Sequence, residues 1–299
     1  LQTQVSRIQL LFLYTLKKQI KTELQSELFF NNNLYAVELL FGYYKFPDKF
    51  YGVGNNNEEN DRESYSLSYP SLFYNAKRRV AKNTYIGLTG RIEKHKLLEF
   101  QEGGIIDTAT LTGSTGGFNL GLGIWMGYDS RDDINFPRKG WFGEVSFMFH
   151  EEILGSDFSY NNTVVDLRKY FPIGKKQVIA LNTYFNFITG DPPFYRLAPL
   201  GGEYRMRGYY EGRFRDRNYM VLQGEYRFPV WWRIGFTVFT GIGQVAPSVK
   251  DFAFKEFKYS YGAGFRFNIL KEGTMNFRFD YGRGMHGESG IYLQFREAF

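Results

Sequence analysis

Apolar and polar side chains alternate along much of this chain. Over residues 274–282 the apolar side chains fall on one face of an extended segment, and polar residues and glycines fall on the other. The same pattern recurs over 257–269 and 220–228. Segments of about a dozen residues exceed the ~5–6 residues of soluble strands and match the ~9–11 residues of a strand that crosses a bilayer. The pattern therefore predicts long strands with one apolar face.

Extending this pattern over the whole chain predicts about fourteen strands. They lie near residues 4–15, 18–29, 33–46, 62–77, 82–99, 116–128, 139–151, 158–171, 176–190, 215–229, 231–246, 255–270, 273–284 and 288–299. The turns predicted at 31–33, 79–82, 174–176 and 270–273 are short, whereas the loops at 47–61, 100–115, 191–214 and 246–254 are long. Short turns at one end and long loops at the other are typical of an outer-membrane barrel. The segment 129–138 is the exception, because it is long where a short turn is expected.

A water-soluble β-sandwich also alternates apolar and polar positions, but strands this long and numerous would require a very large dry core. The last predicted strand, 288–299, ends on an aromatic residue, Phe299, with Phe295 and Leu293 on the same face. That ending resembles the assembly signal of bacterial outer-membrane barrels. Glu297 falls on this face too, at a depth where an acidic side chain costs little. We therefore expect an all-β fold, a transmembrane antiparallel barrel.

Composition fits this fold and excludes others. Aromatic residues make up 19% of the chain, glycine occurs 33 times and cysteine is absent, which excludes a disulfide scaffold and a cysteine nucleophile. No apolar run approaches the ~18 residues of a membrane-spanning helix. Charges of both signs are interspersed around a net +6, so no nucleic-acid partner is expected. No linker divides the chain, and we expect one barrel domain over 1–299, in a mature or trimmed form that starts at Leu1.

The segment 191–214 is too long for a simple connector and contains the tripeptide Arg207-Gly208-Tyr209. Its composition alone also suits a solvated loop. Together with Glu225 in the strand that follows, the tripeptide resembles the BamA/TamA-type superfamily of outer-membrane assembly and translocation barrels, also called the bacterial surface antigen family. In that family an Arg-Gly-aromatic loop folds back into the barrel, and acidic residues of the inner wall hold its arginine.

The resemblance implies that Arg207 is this arginine, with Gly208 and Tyr209 beside it, and that Glu225 is its acidic partner. Many family members carry Asp where Gly241 stands here. A second acidic partner is therefore not expected at that position, and the loop is expected to be less firmly anchored.

Other segments resemble family motifs in the same order along the chain. The resemblance places a turn motif at Asp129, Arg131, Asp132, Pro137 and Gly140. The segments 46–55 and 279–282 match further motifs. Family barrels have sixteen strands, so a complete barrel of sixteen is expected, and either two strands escape the count or a first hairpin precedes Leu1. The 299 residues contain no POTRA-type module before the barrel.

The resemblance implies an integral barrel of the Gram-negative outer membrane that acts in protein insertion, translocation or surface display. Expected partners are outer-membrane lipids, client proteins and other outer-membrane or periplasmic subunits. The alternatives are a passive channel or structural barrel, and a membrane anchor for an upstream passenger domain.

No enzymatic activity, cofactor or metal is expected. The three histidines, His95, His150 and His286, are scattered, and only His286 lies in a predicted rim loop. The acidic run 55–61 lacks the ligand spacing of an EF-hand.

Overall fold

The computed structural model describes residues 6–16, 19–269 and 276–299. Its strands are β1 Arg7–Tyr14, β2 Ile20–Phe30, β3 Tyr35–Phe50, β4 Glu63–Ala81, β5 Thr84–Glu99, β6 Gly116–Asp129, β7 Gly140–His150, β8 Tyr160–Ile173, β9 Gln177–Gly190, β10 Ala198–Leu200, β11 Phe214–Asp216, β12 Asn218–Trp231, β13 Ile234–Ala246, β14 Lys258–Asn268, β15 Asn276–Arg283 and β16 Ser289–Phe295. One α-helical turn, Ile105–Thr108, and 3-10 turns at Glu59–Asp61, Glu152–Leu154, Phe194–Arg196, Val249–Asp251, Phe254–Glu256 and Met285–Gly287 lie in the loops. Within these described ranges, no helix is long and apolar enough to span a bilayer.

Fourteen of the described strands form one antiparallel sheet in which each strand pairs with its neighbours along the chain, in the order β1 to β9 and then β12 to β16. The register is continuous across the middle of the sheet, where Gln223 of β12 lies opposite Asn182 on β9 and Gly241 on β13. The two short strands β10 and β11 pair with each other inside the connection between β9 and β12. The predicted all-β architecture of long antiparallel strands is confirmed.

Most strands of this sheet present one polar and one apolar face. On β15, Arg278 and Asp280 are both 0% exposed, whereas Phe279 and Tyr281, which alternate with them, are 40% and 45% exposed. Strands that span a membrane need an apolar face toward the acyl chains and full backbone pairing. The inward placement of charged side chains that alternation predicted is therefore confirmed.

Several strand ends differ from the prediction, and β4, for example, runs to Ala81 and includes part of the turn predicted at 79–82. β3 runs to Phe50 rather than to residue 46, because residues 46–50 continue to pair with β4. β16 ends at Phe295, since Arg296 adopts a φ of +74° and turns the chain into the lumen. The predicted turn at 270–273 lies outside the described residues.

The inward turn at the end of β16 corrects the orientation expected for Glu297. Its carboxylate does not face lipid but lies 2.8 Å from Nε of Arg266, in the lumen. Phe299 is also buried, against Tyr170 and Ala180. A carboxylate is far better compensated beside buried guanidinium groups than in an apolar layer, which gives the turn its physical reason.

The lumen has two unlike halves. At the end with the long loops, the connection 191–217 fills the space between the strands, and its β10 and β11 contact β12 and β13. At the end with the short turns a cavity of about 1160 Å³ remains, lined by β2 to β9, by the turn 130–135 and by the inward tail 296–299.

Candidate functional site

Arg207, at the tip of the long connection, lies in a cluster of buried charges inside the barrel. One terminal nitrogen of its guanidinium is 2.5 Å from Oδ2 of Asp280, and the other donates to Oε1 of Glu225. The guanidinium also stacks 3.6 Å from the ring centre of Phe239. Arg207 is only 2% exposed, so both carboxylates bind it without competition from bulk water.

Three further arginines from the wall complete the cluster. Arg227 donates to Glu225 at 2.8 Å, Arg266 donates to Asp280 at 2.5 Å, and Arg278 lies 3.6 Å from Asp280. Glu297 supplies a third carboxylate next to Arg266. Four cations thus share three anions at a site closed to solvent, where the loss of one partner leaves an uncompensated charge.

The backbone around Arg207 fits the wall at close range. Gly208 has a φ of +118°, and a Cβ at this residue would lie 2.5 Å from a backbone carbon of Arg283, so a side chain there would be strained and would clash. The N–H of Gly208 donates to the hydroxyl of Tyr292 at 2.9 Å. The hydroxyl of Tyr209 donates to the carbonyl of Tyr259 at 2.9 Å. Burial raises the pKa of Tyr209 to about 12, so this donor keeps its proton at neutral pH.

The structure brings Arg207, Gly208, Tyr209 and Glu225 together at this site. It also adds Asp280, which the sequence placed on the lumen face without a partner. The second carboxylate around Arg207 therefore comes from β15 and not from the position of Gly241. Alternation could have nominated Asp280, but only the curvature of the sheet brings β15 close to β12.

The other arginines of the connection each pair with a different carboxylate. The pairs are Arg196 with Glu93, Arg205 with Asp166 at 3.1 Å, Arg213 with Glu288 at 2.5 Å, Arg215 with Asp48 at 2.8 Å and Arg217 with Asp191 at 3.3 Å. Except for Asp191, these acids stand on β3, β5, β8 and the last loop. The connection is therefore attached to several walls at once, and we call residues 191–217 the plug.

Asp48 organises one of these attachments. Besides Arg215, it accepts hydrogen bonds from the hydroxyls of Tyr65 at 2.9 Å and Tyr210 at 2.8 Å. The N–H of Gly54 donates to the carbonyl of Arg215 at 2.7 Å. The segment 46–55, singled out in the sequence, is thus where the plug contacts β3 and the loop that follows it.

The predicted turn motif folds on itself at the opposite end of the barrel. Arg131 forms a bidentate pair with Asp129, with the shorter distance 2.6 Å. Asp132 accepts the backbone N–H of Arg138 at 2.9 Å. The motif residues Pro137, which is buried, and Gly140, which has a φ of +110°, close the same turn. The length of 129–138 is therefore used for a compact turn, not for an open loop.

The histidines do not assemble into a reactive set. His95 is stacked between Tyr69 and Tyr195 at 4.1 and 4.2 Å, and His150 is stacked on Tyr160 at 4.0 Å. His286 is exposed in the last loop. Within residues 6–16, 19–269 and 276–299, no group of three or more histidine and acidic side chains is arranged to hold a metal ion.

Comparison with known proteins shows which family this chain belongs to and which solved structures it resembles. A family model described as the Omp85 superfamily domain matches residues 5–296. Among solved structures, the chain resembles BamA from Haemophilus ducreyi lacking POTRA domains 1–3, with a TM-score of 0.64 and 15% identity over 93% of this chain and 61% of that one. CdiB from Acinetobacter baumannii gives a TM-score of 0.59 and 13% identity over 93% of this chain and 49% of that one. CdiB from Escherichia coli gives a TM-score of 0.58 and 12% identity over 93% of this chain and 52% of that one. No curated protein sequence matches.

The chain therefore belongs to the Omp85 superfamily, and its fold is an outer-membrane β-barrel similar to those of BamA and CdiB. It spans between 49% and 61% of the length of the solved chains that it matches.

Proposed function

We propose that this Omp85-superfamily barrel inserts, translocates or displays proteins at the outer membrane of a Gram-negative cell. The observation that carries the proposal is the pair of sheet ends. Among the described residues, β1 pairs only with β2, and β16 pairs only with β15. Each of these two strands keeps one edge without a hydrogen-bonded neighbour.

An open strand edge can pair with a strand of another protein. The unpaired N–H and C=O groups form a template, and the added strand gains main-chain hydrogen bonds while its side chains keep the alternation of the sheet. On β1 the outward side chains Ile8, Leu10 and Phe12 are 68–72% exposed, which suits a strand that meets lipid and an incoming client strand. The client would therefore enter at the seam between β1 and β16.

The plug supports a route along the seam over a route through the lumen. Its arginines are paired with carboxylates of β3, β5, β8, β12 and β15. A passive channel needs an open path at this point. In planar bilayers we expect a closed or flickering barrel, and a large, steady, voltage-insensitive pore would instead favour the channel.

Insertion can be measured with the purified barrel in liposomes. The probe is a urea-unfolded eight-stranded outer-membrane barrel, whose folding is followed by its shift on unheated gels and by protease protection. We expect folding to be faster than in liposomes without the protein. Equal rates would contradict the proposal.

The seam can be located by cross-linking, because the chain has no cysteine of its own. Ile8→Cys on β1 should form a disulfide with a cysteine in the terminal strand of the probe. Ile124→Cys on β6 is a matched control, since it is outward and 63% exposed but lies on a strand paired on both sides. Equal cross-linking at the two positions would place entry elsewhere.

The superfamily consists of transport and assembly barrels and not of enzymes, which supports a role without catalysis. The partners that this role implies are client proteins, outer-membrane lipids and other subunits of the outer membrane or periplasm. Fractionation of the cell envelope tests the location, because the protein should follow outer-membrane markers.

A further inference from the structure

The outward face of β4 changes character along the strand. Towards the short-turn end it carries Leu72 and Tyr74, which are typical of a lipid-facing belt. Towards the long-loop end the outward positions are Ser64, Ser66 and Ser68. Serine side chains are too small and too polar to form the apolar surface that faces acyl chains. The change therefore marks the upper limit of the apolar belt on this side of the barrel.

Lysines flank this strip of serines on the two neighbouring strands. Ser68 lies opposite Lys45 on β3 and opposite Lys96 on β5. Lys94 stands on the same face of β5, two residues from Lys96, and all three lysines are exposed. Because adjacent strands are ~4.8 Å apart, the backbones at Lys45 and Lys96 lie roughly 10 Å from each other across the sheet. Both side chains are long enough to reach over Ser68.

These lysines lack the partners that occupy other lysines of the barrel. None of the ion pairs among the described residues involves Lys45, Lys94 or Lys96, whereas Lys77 pairs with Glu38 and Lys21 pairs with Glu23. Glu99, opposite Ser66, forms no ion pair with these lysines among the described residues. Three cations around a floor of hydroxyl groups form a cradle for an anion, and we call Lys45, Ser68, Lys94 and Lys96 the lysine cradle.

The height of the lysine cradle identifies the anion. The next outward residues towards the membrane centre are Tyr43 on β3 and Ile92 on β5, which are 40% and 37% exposed and belong to the apolar belt. The cradle thus lies one step beyond the acyl chains, at the end with the long loops, which in outer-membrane barrels faces outwards. Phosphate groups of the outer-leaflet glycolipid lie at this level.

We propose that the lysine cradle binds a phosphate group of the lipid A part of lipopolysaccharide. The ammonium groups of Lys45, Lys94 and Lys96 neutralise the phosphate, and the hydroxyl of Ser68 donates a hydrogen bond to it. The proposal rests on the outer-membrane placement given under Proposed function, but it does not depend on protein insertion.

Native mass spectrometry of the purified barrel with bis-phosphorylated lipid A tests the proposal. In the triple variant Lys45→Ala, Lys94→Ala and Lys96→Ala, we expect binding to weaken by about tenfold or more, because each lysine near a charged lipid surface contributes to the attraction. The control is Lys139→Ala, Lys175→Ala and Lys176→Ala, which removes the same charge from exposed turns at the opposite end. Both variants must show the heat-dependent gel shift of a folded barrel. Equal binding by the two variants would overturn the proposal.

The source of the phosphate is distinguished by three further probes. Dephosphorylated lipid A should bind to the wild type as weakly as intact lipid A binds to the triple variant. Millimolar inorganic phosphate should not displace lipid A, and phosphatidylglycerol should bind more weakly. Tight binding of any of these three probes would overturn the assignment to lipid A. The triple variant should still accelerate folding of the client probe, because the lysine cradle has no part in insertion. If the wild type itself fails the insertion assay, the proposed function fails, but the comparison of lipid A binding between the variants still tests the lysine cradle.

Discussion

The two halves of the lumen follow the same alternation of polar and apolar positions, yet one is filled and the other is open. In the half with the long loops, carboxylates from several walls converge on arginines of the plug. In the half with the short turns, charges pair along the wall itself, as Lys77 does with Glu38 and Arg131 with Asp129. The centre there remains a cavity of about 1160 Å³.

A charged lumen therefore does not by itself decide whether a barrel is open. Wall residues that find partners on neighbouring strands leave the axis free. Wall residues whose partners come from one inward connection close it. The filled half therefore differs from the open half in that several of its wall carboxylates bind arginines of the plug.

The largest effect is expected when the wall loses both carboxylates that hold Arg207. The double variant Glu225→Gln and Asp280→Asn leaves four buried arginines with one nearby acid, and we expect a loss of more than about 5 kcal/mol in unfolding free energy. Heat-dependent gel shifts and denaturant titration measure it. The control Glu102→Gln with Glu152→Gln removes two exposed carboxylates. Similar stability of the two double variants would show that the buried cluster contributes nothing.

Removal of Arg207 alone should act more weakly, because three wall arginines still neutralise the carboxylates. For Arg207→Ala we expect a loss of about 3 kcal/mol and a new open state in planar bilayers, since the plug tip is released. Arg217→Ala is the control, because its pair with Asp191 is exposed. If both variants conduct like the wild type, Arg207 does not hold the plug in place.

A smaller effect is expected at Arg205, which lies two residues before Arg207 and pairs with Asp166 on β8. Its partner Asp166 also binds Arg168 and Asn182, so the carboxylate stays satisfied when Arg205 is absent. For Arg205→Ala we expect about 1 kcal/mol in denaturant titration and only brief openings in bilayers. A loss as large as that of Arg207→Ala would mean that the plug is held evenly along its length.

The smallest perturbation compares the two halves directly. Gln25→Cys lies on the wall of the cavity, whereas Gln223→Cys lies under the plug, where Gln223 is 5% exposed. A membrane-impermeant maleimide added at the short-turn end should label the first and spare the second, with little change in stability at Gln25. Combining Gln223→Cys with Arg207→Ala should restore labelling. Equal labelling in the intact barrel would contradict the division of the lumen.

Arg207 and Glu225 could be nominated from the sequence, because a motif resemblance and the inward face of β12 pointed to the same pair. Alternation placed Asp280 on the inward face but not beside Arg207, and it placed Glu297 on the wrong face. Asp280 reaches Arg207 because the sheet curves β15 towards β12, and Glu297 reaches Arg266 because Arg296 leaves the strand conformation. Period-two alternation assumes that the strand continues, so it placed Glu297 on the lipid side.

The strands, their two faces and the position of the long connection could be predicted from local alternation and turn spacing, and the family resemblance implied that this connection folds inwards. The three-dimensional arrangement was needed to show which charges meet, where the lumen is filled and how the last residues turn inwards. Those features depend on strands far apart in sequence that the curvature of the sheet brings together, and residue spacing along the chain carries no measure of that distance.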